Sequence, residues 1–160
     1  MDFEAIRKAY QPKDIRLLFV GESRPESGKF FYLGSPMTTY TQRAFETTFS
    51  LVFETADRFL RFFQEKGCYL DDLSLIPVDG MPRQERERVL KRSVSSLAER
   101  IIAYEPEVVA VVLKKIAKYV NEALWLAGLQ CEKYVLPFPG HGHQKEYAEQ
   151  LTGILEKHLA

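Results

Sequence analysis

An α/β fold, a three-layer α/β/α sandwich around a four-stranded parallel sheet with strand order 2-1-3-4, is predicted by three features of the sequence. Apolar runs of strand length alternate with stretches of helical periodicity, the pattern of strand–helix–strand units. Two of the runs, Ile15 to Val20 and Val108 to Leu113, are apolar almost throughout, so they need central places covered on both faces. The first run ends in Gly21 and Glu22 of a polar loop, and in such sheets the ligand crevice lies outside the carboxyl ends of the strands.

The elements follow in chain order. Phe3, Ile6 and Tyr10 fall at spacings of three and four and predict a short helix that stops before Pro12. After the first strand and its loop, Thr41 to Gly67 carries Phe45, Phe49, Val52, Phe53, Ala56, Phe59, Leu60 and Phe63 on one stripe, which reads as one long amphipathic helix with Gly67 as its stop. An aromatic stripe at that spacing is expected to pack in the core rather than bind a cofactor. Leu73 to Val78 (LSLIPV) is expected to be the second strand, delivering Asp79 and Gly80 to a loop. A helix follows, densely charged from Arg83 to Arg92 and then apolar at Val94, Leu97, Ile101 and Ile102, ending at Pro106. Its mixed charges fit a solvated, salt-bridged face, with a phosphate-contacting surface as the alternative. The third strand leads into a helix closed by Gly128, Tyr134 to Leu136 form a last short strand, and Lys145 to Leu159 form a closing helix.

Composition narrows the classes. The 160 residues are 46% hydrophobic, enough for one domain with a substantial core. Lysine plus arginine and aspartate plus glutamate both number 22, so the chain lacks the global basic field of a strong non-specific nucleic-acid binder, and any such contact needs a local patch. Cys68 and Cys131 have no paired spacing, which excludes a four-cysteine metal or iron–sulfur centre and fits reduced thiols in a cytoplasmic protein. No apolar run approaches the roughly 20 residues of a membrane span.

Three strand ends bring candidate chemistry to the predicted crevice. The first supplies Glu22, with Ser23, Arg24, Ser27 and Gly28, and then the flat apolar surface of Phe30, Phe31 and Tyr32. The third supplies Lys114 and Lys115, and the fourth supplies the loop from Pro137 to His143, in which glycines flank His141. Glycine loses the most freedom on folding, so that alternation marks either special backbone angles or a simple turn with two exposed histidines. A carboxylate and an imidazole facing each other form a natural acid–base or water-orienting pair. Glu22, His141 and His143 together form a candidate metal site, in which case the protein would be a metal-dependent hydrolase. Ser23 and Ser27 lie in no Gly-x-Ser-x-Gly elbow, and Gly21 to Gly28 lacks the Gly-Lys-Ser/Thr ending of a Walker loop.

A strand ending in Val20, Gly21 and Glu22 with Pro25 soon after, the block from Tyr104 to Ala117, and a closing strand followed by a Pro/Gly/His loop together resemble the uracil-DNA glycosylase superfamily, from Ile15 to the end of the chain. The resemblance implies a hydrolase that cleaves the N-glycosidic bond of a damaged or deaminated base in DNA, single-stranded or damaged, with no cofactor. It places the residue that orients water or stabilises the sugar cation on Glu22, the aromatic that stacks on the extruded base on Phe30 or Phe31, and the histidine that steadies the departing base on His141. Ser74, Asp79 and His143 are then the candidate base-reading groups, and Arg24, Lys114 and Lys115 the candidate phosphate contacts. The chain departs from the family pattern in three places. His141 is followed by Gly142 and His143 rather than Pro and Ser, LSLIPVDG lacks the base-reading asparagine expected after strand two, and Lys114 replaces a glycine. The same sheet also suits a non-enzymatic nucleobase- or nucleotide-binding module.

Overall fold

A computed structural model describes all residues, 1–160. The chain runs α1 (Phe3–Ala9), β1 (Leu17–Gly21), α2 (Pro36–Phe49), α3 (Ala56–Glu65), β2 (Cys68–Asp72), α4 (Arg83–Tyr104), β3 (Val108–Val112), α5 (Ala117–Ala127), β4 (Glu132–Leu136) and α6 (Gln144–His158), with short 3₁₀ turns at Phe31–Leu33 and Lys114–Ile116. The four strands form one parallel sheet in the order β2-β1-β3-β4, as the sequence predicts. β1 and β3 occupy the centre and are buried along their whole length, which satisfies their apolar runs. α4 packs on α5, and α2 packs on α6 and α3. The buried apolar side chains form one continuous cluster of 39 residues, so a single core supports every strand end.

Two elements differ from the sequence-based expectation. The expected long helix is two helices. Ser50 takes the left-handed conformation (φ 53°) and ends α2, and the Thr55 side chain accepts a hydrogen bond from the Arg58 amide to start α3. Between them the Glu46 carboxylate accepts from the Phe53 amide at 2.8 Å, so the break is tied down rather than loose. The aromatic stripe survives the break: Phe45, Phe59 and Phe63 are buried and meet ring to ring.

Strand two is the larger correction. It is Cys68–Asp72 (CYLDD), not LSLIPV, which forms the loop that follows. The Ser74 hydroxyl bonds both the amide and the carbonyl of Ile76 and folds the chain into a turn, leaving Leu75 and Ile76 exposed. The two aspartates that end β2 are buried because cations reach them from elsewhere. Arg7 of α1 donates to Asp72 Oδ2 and to the Leu70 carbonyl, both at 3.0 Å. Arg100 of α4 donates to Asp71 Oδ2 (2.5 Å) and the Asp72 carbonyl (3.0 Å), and the Tyr104 hydroxyl donates to the same Asp71 oxygen (2.7 Å). Burial alone would weaken the charge on Arg7. The carboxylates of Asp72, Asp71 and Glu4 more than offset that, and hold it above the ordinary arginine range.

Arg7→Met should therefore lower unfolding stability by about 3–5 kcal/mol at pH 7, because it leaves buried carboxylates without their counter-charge. Burial raises the Asp72 pKa above the usual carboxylate value even with Arg7 present. The fold thus favours the neutral acid, and the stability tied to that protonation is lost as pH rises through the folded-state value. Without Arg7 this effect grows, so the deficit should be largest at neutral pH and shrink as pH falls. Urea unfolding of both proteins at several pH values checks the sign.

Candidate functional site

The loops after β1, β2, β3 and β4 enclose a cavity of about 620 Å³ at the carboxyl ends of the strands. Glu22, Arg24, Phe30, Phe31, Asp79, Lys115 and His141 line it; Ser74, Lys114 and His143 do not. Two loops are stitched together at its edge. Ser23 Oγ accepts from the Val78 amide at 3.2 Å, and the Asp79 carboxylate accepts from the Glu26 amide at 3.0 Å. Asp79 thus caps a backbone group at the rim.

Glu22 is not a free carboxylate. Arg86, in the first turns of α4, grips it through both Nε (to Oε2, 3.1 Å) and Nη2 (to Oε1), and Lys115 approaches the same Oε2 at 3.7 Å. The glutamate side chain is only 12% exposed, and the lysine is 54% exposed, so the arginine is the principal partner. Within the charged face of α4 the solvated, salt-bridged reading holds at Arg83, while Arg86 leaves that pattern. Arg83 pairs with Glu87 in solvent (3.1 Å), whereas Arg86 turns inward to the cavity.

Phe30 and Phe31 contribute to the cavity wall from deep in the core. Phe31 is 5% exposed and packs against Tyr32 and Phe63, and Phe30 packs edge-on to Phe3. Tyr40, half-buried, and Phe138, half-exposed between Pro137 and Pro139, are lining aromatics that sequence reasoning passed over. Arg24 lays its guanidinium over the Phe3 ring at 4.2 Å, and its Nε is buried without a hydrogen-bond partner.

The histidine loop adopts special backbone angles. His141 has φ 51° and Gly142 φ 89°, both left-handed, and the turn closes when the His143 amide donates to the Gly140 carbonyl (3.1 Å). His143 sits at the start of α6 facing Glu146, away from the cavity. No side chain caps this helix, whose first residue, Gln144, lines the cavity. Leu113, another lining residue, takes φ 133°, a strained angle for a bulky side chain.

The residue that sequence reasoning missed is Asp72. The sequence pattern sets strand two at Leu73 to Val78, past its true end, and so puts Ser74 and Asp79 in the base-reading place. Ser74 instead folds onto Ile76, and Asp72 faces the cavity beside Gly21, its partner in register. The available signal was the adjacent pair Asp71–Asp72 after an apolar run, together with Arg7 and Arg100 as counter-charges.

No group of three His, Cys, Asp or Glu side chains is arranged to hold a metal ion, and Glu22, required for the expected site, is already ion-paired. No helix is long and apolar enough to cross a membrane. Among known proteins, no family model and no curated protein matches the chain.

Arg86→Ala should destabilise the protein by about 1–3 kcal/mol, because it leaves the part-buried Glu22 without its main donor. Lys115→Ala should stay within about 0.5 kcal/mol. Chemical denaturation of the two variants, side by side, tests which cation holds the carboxylate.

Proposed function

We propose that the protein is a uracil-DNA-glycosylase-like nucleobase-recognising protein, and a candidate hydrolase of the N-glycosidic bond of a damaged or deaminated base in DNA. The observation that carries this reading is the single cavity shared by Glu22, an aromatic wall, His141 and the uncapped start of α6. In such a hydrolysis, water forms a bond to the sugar C1′ as the bond from C1′ to the base nitrogen breaks. The base leaves with the electron pair, and positive charge develops on the sugar. His141 and the free amides of α6 suit the departing base, and Glu22 suits the sugar side, so opposite charges meet opposite partners. Arg24, Lys29, Arg86 and Lys115, all lining residues, supply the local positive patch that a neutral chain needs to hold phosphates.

A second reading, a binding module without the reaction, draws on one specific feature: Arg86 and Lys115 already engage the Glu22 carboxylate, which leaves less of it open to orient a water. Incubation with single-stranded and duplex oligonucleotides bearing uracil, hypoxanthine or xanthine separates the two. Release of free base supports the hydrolase, and retention of the oligonucleotide without release supports the module.

If base release is found, His141→Ala should slow single-turnover release by roughly a hundred- to thousand-fold with little change in affinity, since the imidazole acts on charge that develops only as the bond breaks. His141→Asn is the matched control, because asparagine tolerates the left-handed backbone that alanine does not. Full rates in both variants, together with Glu22→Gln, would make these residues structural. Phe31→Ala is unsuited to measuring stacking: the ring is in the core, and its loss should cost about 3–5 kcal/mol of stability.

A further inference from the structure

The two edges of the sheet are finished differently. On β2 the outward amide and carbonyl of Leu70 are both taken by side chains: the amide donates to the Tyr32 hydroxyl at 2.7 Å, and the carbonyl accepts from Arg7 at 3.0 Å. β4 is the other edge. The Leu136 carbonyl accepts from the Leu113 amide at 3.1 Å, so Leu136, Tyr134 and Glu132 turn their backbone groups toward β3. Lys133 and Val135 therefore turn theirs outward, and no side chain meets them as Tyr32 and Arg7 do on β2.

An open edge is commonly guarded by charge. Here the charged side chains are drawn back onto their own chain. Lys133 Nζ bonds the Asn121 side chain of α5, and the Glu132 carboxylate is held by Lys157 (3.1 Å), by His158 Nε2 (3.0 Å) and by the Tyr134 hydroxyl (2.5 Å). One turn beyond Asn121 on the same side of α5, Trp125 stands 79% exposed, next to the exposed Leu126. A tryptophan left in water beside an unpaired strand suits a contact surface better than a solvated face.

The strand itself selects its occupant. Two copies of β4 related by a twofold axis pair antiparallel, and one residue then faces its own counterpart on the axis. Glu132 or Lys133 there would set like charges against each other. Val135 there would set Lys133 against Pro137, which has no amide to donate. Tyr134 on the axis meets neither objection: the outward groups of Lys133 and Val135 exchange hydrogen bonds in both directions, and ring faces ring.

We propose that β4 is a dimerisation edge, at which a second copy of this chain pairs antiparallel about Tyr134 and extends the sheet to the order 2-1-3-4-4-3-1-2. The α5 helices of the two copies then lie on the same side of the joined sheet, where Trp125 supplies the apolar anchor that a strand of 5 residues lacks. The two cavities open at opposite ends of that sheet, and nothing in the pairing depends on what they bind.

Sedimentation equilibrium of the full-length protein across the micromolar to sub-millimolar range tests the pairing, and the mass should double as concentration rises. Val135→Pro removes an outward amide that β3 does not use, so the fold, followed by circular dichroism, should persist while the dimer is lost. Trp125→Ser leaves the core intact and should raise the dissociation constant about tenfold or more; it decides alone if the proline variant fails to fold. Cross-linking in a Cys131→Ser background reads the register. Tyr134→Cys should form a disulfide-linked dimer on oxidation, because a facing pair without hydrogen bonds sits at disulfide spacing, whereas Lys133→Cys should not. A protein that stays monomeric throughout the range would overturn the proposal and leave the edge to a strand of another protein. So would a dimer unchanged by Val135→Pro and Trp125→Ser, or one cross-linked through Lys133→Cys rather than Tyr134→Cys.

Discussion

The buried guanidinium of Arg7 is the constraint on which the site end of the sheet depends. It enters from α1 beneath the aromatic cluster, lies against the Phe30 ring at 5.1 Å, and closes on the strand-two backbone through Leu70 and on the side chain of Asp72. An ion pair of this kind gains little net stability over apolar packing, because two charges must be stripped of water. What it adds is register. If β2 slipped by one residue, every side chain would change face, and two buried carboxylates would lose their partners at once. The pairing Gly21↔Asp72 is therefore fixed, and with it the geometry of the cavity floor.

The same charges explain what the sequence disclosed and what it hid. β1 and β3 were legible because their runs, LLFVG and VVAVV, are apolar without interruption, and burial on both faces is the one place such runs fit. β2 was not, because CYLDD ends in two carboxylates, and local pattern treats adjacent aspartates as loop. Their counter-charges lie 65 residues away at Arg7 and 29 residues away at Arg100, beyond any window of periodicity. LSLIPV looked more like a strand than the strand itself, yet Ser74 satisfies the Ile76 backbone locally and removes it from the sheet. The broken helix follows the same logic: the aromatic stripe fixed which face is buried, while the break depends on the Thr55 cap and the reach of Glu46 to Phe53.

In the site, residues that follow β1 and β4 are readable, whereas Asp72 at the end of β2 and Arg86, brought by a helix, are not. Glu22 and the His141 turn stand directly after apolar runs, so their place in the crevice followed from topology. Arg86 comes from a helix whose neighbours Arg83, Glu87 and Arg88 are solvent-exposed, and nothing in the spacing separates the one arginine that turns in. Phe30 and Phe31 were read as a stacking surface because aromatic residues beside a polar loop suit either role. The decision came from Phe3, Tyr32 and Phe63, which enclose them.

Charge is distributed through the cavity by depth. Lys29 and Lys115 are exposed at the mouth and Arg24 and Arg86 are half-buried behind them, whereas Asp72 is buried at the floor. Four cations face three carboxylates, Glu22, Asp72 and Asp79, and two of the cations share Glu22, so the excess of positive charge is small and confined to the rim. In a chain of zero net charge that rim acts only over about a Debye length, roughly 8 Å at physiological salt. It can therefore hold an anionic group already at the mouth but cannot draw one in from far off.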